Sequence, residues 1–259
     1  VYPEAIAQKA TESLGAFYDF HVNGIGTYDD LESQAAENNV VGYLLFSVAT
    51  NARQVCKVND AITAAVGLSR SHGFKTVGFA GMHQDFDDFA GELARAESMG
   101  LRGVKIHPDI QGVDIDDPRL LKLYELMEGR MPLYLHMGDD RPQYRFSEAK
   151  KLARVLDMFP NLVVVAAHLG GYRAWDDAEK YLAGRKNVWY DTSSALWAMS
   201  TEYAEHMVRV LGAGNIMFGT DYPVMDCAPE LERFFKLRLT DREREDILYN
   251  NAARFLGLD

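Results

Sequence analysis

Leu162-Val163-Val164-Val165-Ala166-Ala167-His168-Leu169-Gly170-Gly171 is the stretch that decides the fold. Its apolar run is too short for a core helix, and it ends in an ionisable residue followed by a glycine pair, so it reads as a buried strand running into a turn. The same rhythm recurs. Upstream stand Gly103-Val104-Lys105-Ile106-His107-Pro108 and Pro132-Leu133-Tyr134-Leu135-His136-Met137-Gly138; downstream stands Ile216-Met217-Phe218-Gly219-Thr220-Asp221-Tyr222-Pro223. Three further runs have strand composition: Val41–Ala49, Lys75–Met82 and Asn187–Thr192.

Between these runs lie stretches of helical period. Asn59–Ser71 carries Ile62, Ala65, Val66 and Leu68 on one face. Phe86–Met99 stops at Gly100, a residue suited to the left-handed position after a helix. Pro118–Gly129, Ser147–Phe159, Ala174–Ala183 and Glu202–Leu211 follow in turn. The last helix opens with Thr240-Asp241-Arg242-Glu243, the pattern of a capping box, and runs through Ile247, Leu248, Ala252, Ala253 and Phe255.

Strand and helix alternate, which calls for parallel strands joined by helical crossovers. A chain of 259 residues without a linker or a low-complexity stretch fits one domain, residues 1–259, folded as a (β/α)8 TIM barrel. Seven strands are counted from Val41 onward. The eighth must come first, and Ala16–Asn23, ahead of a helix Tyr28–Asn38, is the candidate inside the chain. In such a barrel the C-terminal strand ends converge on one mouth, so His107, His136, His168 and Asp221 meet there. Imidazoles with a carboxylate suit a divalent metal such as zinc.

Composition narrows the partners. A net charge of -11 repels duplex nucleic acid and anionic membranes. Cys56 and Cys227 stand far apart, which argues against a disulfide framework and for a reducing cytoplasm. No run approaches the length needed to cross a bilayer. A small-molecule substrate is expected, and a homodimer is a common state for such a chain.

These motifs, in this order, resemble the amidohydrolase-related metal-dependent hydrolases of TIM-barrel fold, a group similar to aminocarboxymuconate-semialdehyde decarboxylase-like proteins. The resemblance rests on GVKIHP, LHMG, AHLGG and FGTDYP together, and extends to the closing Asn250-Asn251-Ala252-Ala253-Arg254-Phe255-Leu256. Members open with a strand ending in His-x-His, which supplies two metal ligands. This chain has no such motif. Either the native protein begins earlier, with Val1-Tyr2-Pro3-Glu4 matching the segment that follows the motif, or His21-Val22-Asn23 replaces it.

Each candidate residue has a plain structural alternative. His136 could be a buried histidine bonded to a carbonyl; beside Gly138 and the other motifs it reads as a metal ligand, as the resemblance implies for this strand. Asp221 could cap a turn before Pro223. Its functional reading is a metal-bound carboxylate that also takes a proton from the attacking water. His168 is a strand-end histidine to which the resemblance gives a catalytic part beside the metal. Lys105 and His107 share one face of their strand and are candidates for substrate contact. Arg141 and Arg173, in mouth loops with Asp139, Asp140, Tyr144, Arg145 and Trp175, could fork onto a substrate carboxylate. Asp191, Tyr222 and Asp226 are weaker mouth candidates, while His72, His83 and His206 read as structural or surface residues.

The resemblance implies an enzyme with one divalent metal, zinc by preference. It would cleave an amide, lactone or related bond of a small molecule through an activated water, and the polar mouth loops point to a carboxylated one. A metal-dependent decarboxylase uses the same ligands. A non-catalytic barrel subunit is the alternative outside enzymology.

Overall fold

The computed structural model describes residues 1–258. Its strands are short and all parallel: β1 (Leu44–Leu45), β2 (Val77–Gly78), β3 (Ala80–Gly81), β4 (Val104–Ile106), β5 (Leu133–Leu135), β6 (Val164–Ala166), β7 (Val188–Asp191) and β8 (Ile216–Met217). β1 pairs with β2, and β3 to β8 pair in sequence order. β2 and β3 flank Phe79 on one extended stretch. The Phe79 N–H donates to Leu45 O at 2.9 Å and the Ala80 N–H to Gly103 O at 2.8 Å, so one stretch joins both sheets. The result is a TIM-type α/β barrel with seven strand positions filled, those expected from Val41 onward.

Crossover helices follow the anticipated places: Val55–Ser71, Phe89–Ser98, Pro118–Met127, Ala149–Met158, Trp175–Leu182 and Thr201–Leu211. Strand residues such as Val104, Leu133, Leu135 and Val164 are fully buried against the inner faces of these helices. Burial of this kind contributes about 1.5–3 kcal/mol per large apolar side chain. One helix face differs from the expected one: Leu68 is exposed, and the buried stripe runs through Ile62, Val66 and Ser69. The hydroxyl of Ser69 is satisfied inside the core by Thr76, so a small polar residue is buried there in place of a leucine.

The front of the chain departs from expectation. Ala16, Phe17 and Tyr18 close a long helix, α1 (Glu4–Tyr18), and residues 19–23 form no strand. His21 and Asn23 are exposed, so His21-Val22-Asn23 does not take the place of the missing motif. Ala5, Ala7, Ala10 and the polar residues between them favour helix, and that propensity continues into Ala16–Tyr18. Among the described residues no strand lies between β8 and β1. The C-terminal helix satisfies that side of β8: the Phe218 N–H donates to Ile247 O at 2.8 Å, and the Asn251 amide donates to Ile216 O at 2.7 Å. The capping box of Thr240 and Glu243 is present as expected. No helix among the described residues is long and apolar enough to cross a membrane.

Candidate active site

The strand ends bring the histidines together. β4 ends at His107, which caps the short helix Pro108–Gln111 by accepting the Ile110 N–H at its Nδ1. β5 ends at His136, and the two rings stack with centroids 3.8 Å apart. Two residues beyond β6 stands His168, whose Nε2 lies 3.0 Å from His136 Nδ1. The turns that present these rings need unusual backbone. Gly138 has φ +79°, and a Cβ there would meet Tyr172 N at 2.5 Å. His168, Leu169 and Asp221 all take positive φ without being glycine. Such strain of about 1–3 kcal/mol per residue tends to collect at functional sites.

His107, Asp109 and His136 form a buried cluster whose ligand atoms lie within 4.8 Å of one another. Asp109, one turn beyond β4, was not anticipated; an acidic residue directly after a His-Pro strand end is the signal that could have found it. Burial pushes its carboxyl up to about 6, against hydrogen bonds from Ser147 and the Phe146 N–H. Burial, and then the neighbouring His107, His168 and Lys105, hold His136 well below the ordinary histidine range, so its ring is neutral and able to offer a lone pair. Its Nε2 faces Gly138 O at 3.1 Å and Asp109 Oδ2 at 3.8 Å. Acceptors that converge in this way fit a divalent cation. His107 fits less well. Its Nδ1 accepts a backbone N–H, so in the neutral ring Nε2 carries the proton and donates it to the Tyr18 hydroxyl at 2.8 Å.

Beside the cluster lies a cavity of about 710 Å³, open along the β8–β1 gap. Lys105, Tyr134, His168, Asp191, Ser193 and Asp221 line its inner wall. Lys105 is buried, its ammonium 4.7 Å from the Phe46 ring centre and 4.6 Å from that of Tyr134. Burial pulls it down to about 8, while Asp221 and Asp191 act in the opposite sense. Asp221 lines the same cavity, outside the His107–Asp109–His136 cluster, with its Oδ2 accepting the Ser194 hydroxyl at 2.8 Å. Among the described residues no protein group bonds its other oxygen.

The mouth arginines are already engaged. Arg141 is clamped to Asp139 and to Phe17 O, with its guanidinium 4.1 Å from the Tyr144 ring centre. It thereby pins the end of α1, and the Tyr18 hydroxyl closes over His107 and His136. Tyr18 is a site residue outside the sequence candidates, because the aromatic stretch around it reads as a strand. Arg173 is half exposed on the rim, paired with Asp140 at 3.2 Å. Tyr222 and Asp226 bond to the helix Tyr28–Glu37 rather than to the cluster. Of the histidines set aside, His72 and His206 pair with Glu32 and Glu179 near the surface, and His83 is buried, its Nδ1 accepting the Asp85 N–H.

The sequence pattern of the amidohydrolase family matches residues 22–258. The chain belongs to the amidohydrolase family. A curated relative, 2-amino-3-carboxymuconate-6-semialdehyde decarboxylase of Dictyostelium discoideum, is 26% identical over 203 residues, 62% of this chain and 55% of the relative. The chain thus matches little more than half the length of that protein. Among solved structures, 5-carboxyvanillate decarboxylase from Sphingomonas paucimobilis aligns with a TM-score of 0.70 at 20% identity, over 88% of this chain and 82% of that one. A putative 2-pyrone-4,6-dicarboxylic acid hydrolase from Pseudomonas putida aligns with a TM-score of 0.71 at 18% identity, over 99% and 94%. At that identity the structural likeness speaks to the fold alone. The relatives divide between decarboxylases and hydrolases on one scaffold.

Proposed function

We propose that this amidohydrolase-family chain is a metal-dependent decarboxylase of a small carboxylated molecule. The observation that carries the reading is Lys105, a buried ammonium on the wall of a largely apolar cavity and close to the imidazole cluster. A buried cation of this kind is stabilised by an anionic partner, and a substrate carboxylate entering the cavity supplies one. The curated relative, a decarboxylase, supports the same choice.

His136 would hold the metal through Nε2, with Asp221 as a carboxylate ligand and zinc as the proposed ion. Asp109 lies close enough to His136 to share that duty. A divalent ion so held supplies Lewis-acid polarisation of a substrate oxygen, which stabilises the charge left when carbon dioxide departs. The chain's own residues do the rest. Lys105 orients the carboxylate. With a pKa pulled to about 8, it can also yield a proton near neutral pH to the carbon that loses carbon dioxide. His107 offers an Nε2–H to a substrate hydroxyl or carbonyl where it now meets Tyr18. Arg141 and Arg173 bound the mouth.

Hydrolysis is the second reading, favoured by the unbonded oxygen of Asp221, which faces the cavity and could take a proton from water. Product analysis separates the two. Purified chain loaded with zinc or manganese is screened against small aromatic and unsaturated carboxylates. Release of carbon dioxide without net addition of water supports decarboxylation. Incorporation of solvent ¹⁸O into a product carboxylate, with no carbon dioxide, overturns it in favour of hydrolysis.

A further inference from the structure

A directional chain of hydrogen bonds runs from β7 to His136. Asp191, at the end of β7, is buried and saturated. Its Oδ2 accepts the Tyr134 hydroxyl. Its Oδ1 accepts the His168 N–H at 3.2 Å, the Ser193 N–H at 2.8 Å, and the Ser193 hydroxyl. The last contact fixes where the single serine proton goes. With that proton on Asp191, both the carbonyl and the hydroxyl oxygen of Ser193 face His168 as acceptors, at 2.8 and 3.0 Å from Nδ1. His168 Nδ1 must then carry the proton, and its Nε2 must be the acceptor. Across 3.0 Å, His136 Nδ1 must therefore be the donor. One proton per ring leaves His136 Nε2 bare.

The opposite tautomer has a ready partner, because Gly138 O lies 3.1 Å from that same Nε2. The Tyr18 hydroxyl, 3.3 Å from that Nε2, can donate to it and so favours a bare nitrogen, but drawn by Gly138 O alone His136 would place its proton on Nε2. It would then present no lone pair to a metal.

We propose that Asp191 is a positioning residue that acts through Ser193 and His168 to hold His136 in the tautomer whose Nε2 lone pair faces the Asp109–Gly138 acceptors. The inference rests on the reading of His136 as the metal holder, but the chain itself can be tested without metal. It also gives His168 a definite part: both of its ring nitrogens are spent in the chain, so it acts on the centre through His136.

The test is long-range ¹⁵N–¹H correlation NMR on ¹⁵N-histidine-labelled, metal-free protein, with His136 and His168 assigned from variants. Wild type should show His136 protonated at Nδ1 and bare at Nε2. Asp191→Ala removes the acceptor that holds both the Ser193 N–H and its hydroxyl, so the Ser193 carbonyl is no longer fixed against His168 Nδ1 and the hydroxyl can donate there instead, and both rings should then shift toward the opposite tautomer. Two variants should restore the wild-type pattern: Asp191→Asn, which keeps an oxygen acceptor for Ser193, and the double variant Asp191→Ala/Ser193→Ala, which removes the competing hydroxyl. His168→Phe, which needs no change at Asp191, should leave His136 protonated at Nε2.

A wild-type His136 protonated at Nε2 overturns the proposal. So does an unchanged tautomer in Asp191→Ala, or in His168→Phe should the first variant not fold. Zinc titration by chelator competition gives a separate reading. Asp191→Ala should bind zinc on the order of 10–100-fold more weakly, the usual effect of losing a residue that orients a ligand. If the tautomers shift as expected but zinc affinity does not change, His136 is not the metal holder and the functional reading fails while the chain stands.

Discussion

Glu230 offers a quantitative check on the packing behind β8. It lies in the helix Cys227–Phe235, fully buried. One carboxylate oxygen bonds Arg233 Nη1 at 2.6 Å, and the other has no partner among the described residues. Burial pushes its carboxyl up to about 7 from an ordinary 4.5, and Arg233 offsets only part of that. A carboxyl raised on folding binds its proton more tightly in the native chain. Its contribution to stability is therefore fully present below pH 4.5 and is lost as pH rises toward 7. The difference, 7 − 4.5 = 2.5 units, corresponds at 1.36 kcal/mol per unit to about 3 kcal/mol. Glu230→Gln removes the ionisation while keeping an oxygen for Arg233. In urea denaturation at pH 5, 6, 7 and 8, the variant should gain on wild type progressively, by most of that about 3 kcal/mol, which is a midpoint shift of about 1 M for a slope near 3 kcal/mol/M. Taking the difference between the two proteins cancels other groups that titrate in the same range. Parallel curves for both proteins from pH 5 to 8 would refute the reasoning, since a solvated or fully paired carboxylate would give that result.

Other outcomes follow from the site. Lys105→Met should raise KM for a carboxylated substrate at least tenfold. It should not destabilise the fold at pH 7, because it replaces a buried ammonium with apolar volume; a large loss of Tm would contradict this. Gly138→Ala places a Cβ 2.5 Å from Tyr172 N at a φ of +79°. It should cost about 2 kcal/mol or more in chemical denaturation and weaken metal binding, because the turn that aims His136 must shift. Metal removal by a chelator should lower Tm in the wild type, a free metal at 100 times its Kd contributing about 2.7 kcal/mol. His136→Ala should abolish that response; an equal drop in both proteins would place the metal elsewhere.

The barrel was legible in the sequence because its strands are buried runs that end in punctuation. A stretch such as Leu162–Gly171 can satisfy its apolar side chains only inside a sheet, and its glycines only in a turn. The strand ends also identified His107, His136, His168 and Asp221 as residues of one mouth, since parallel order places them there whatever the details of packing. What sequence could not give was anything set by contacts between distant elements. The stretch Ala16–Asn23 has strand-like aromatics, yet its first residues continue a helix, and only in the folded chain does Tyr18 reach His107 and His136. Asp109 became a candidate ligand because β4 and β5 are adjacent, and Arg141 became a clamp on α1 because Phe17 O lies within its reach. Local pattern determined which residues face the mouth. Tertiary structure decided which nitrogen of each ring holds its proton and which charges are buried, because those depend on the partners that three-dimensional packing supplies.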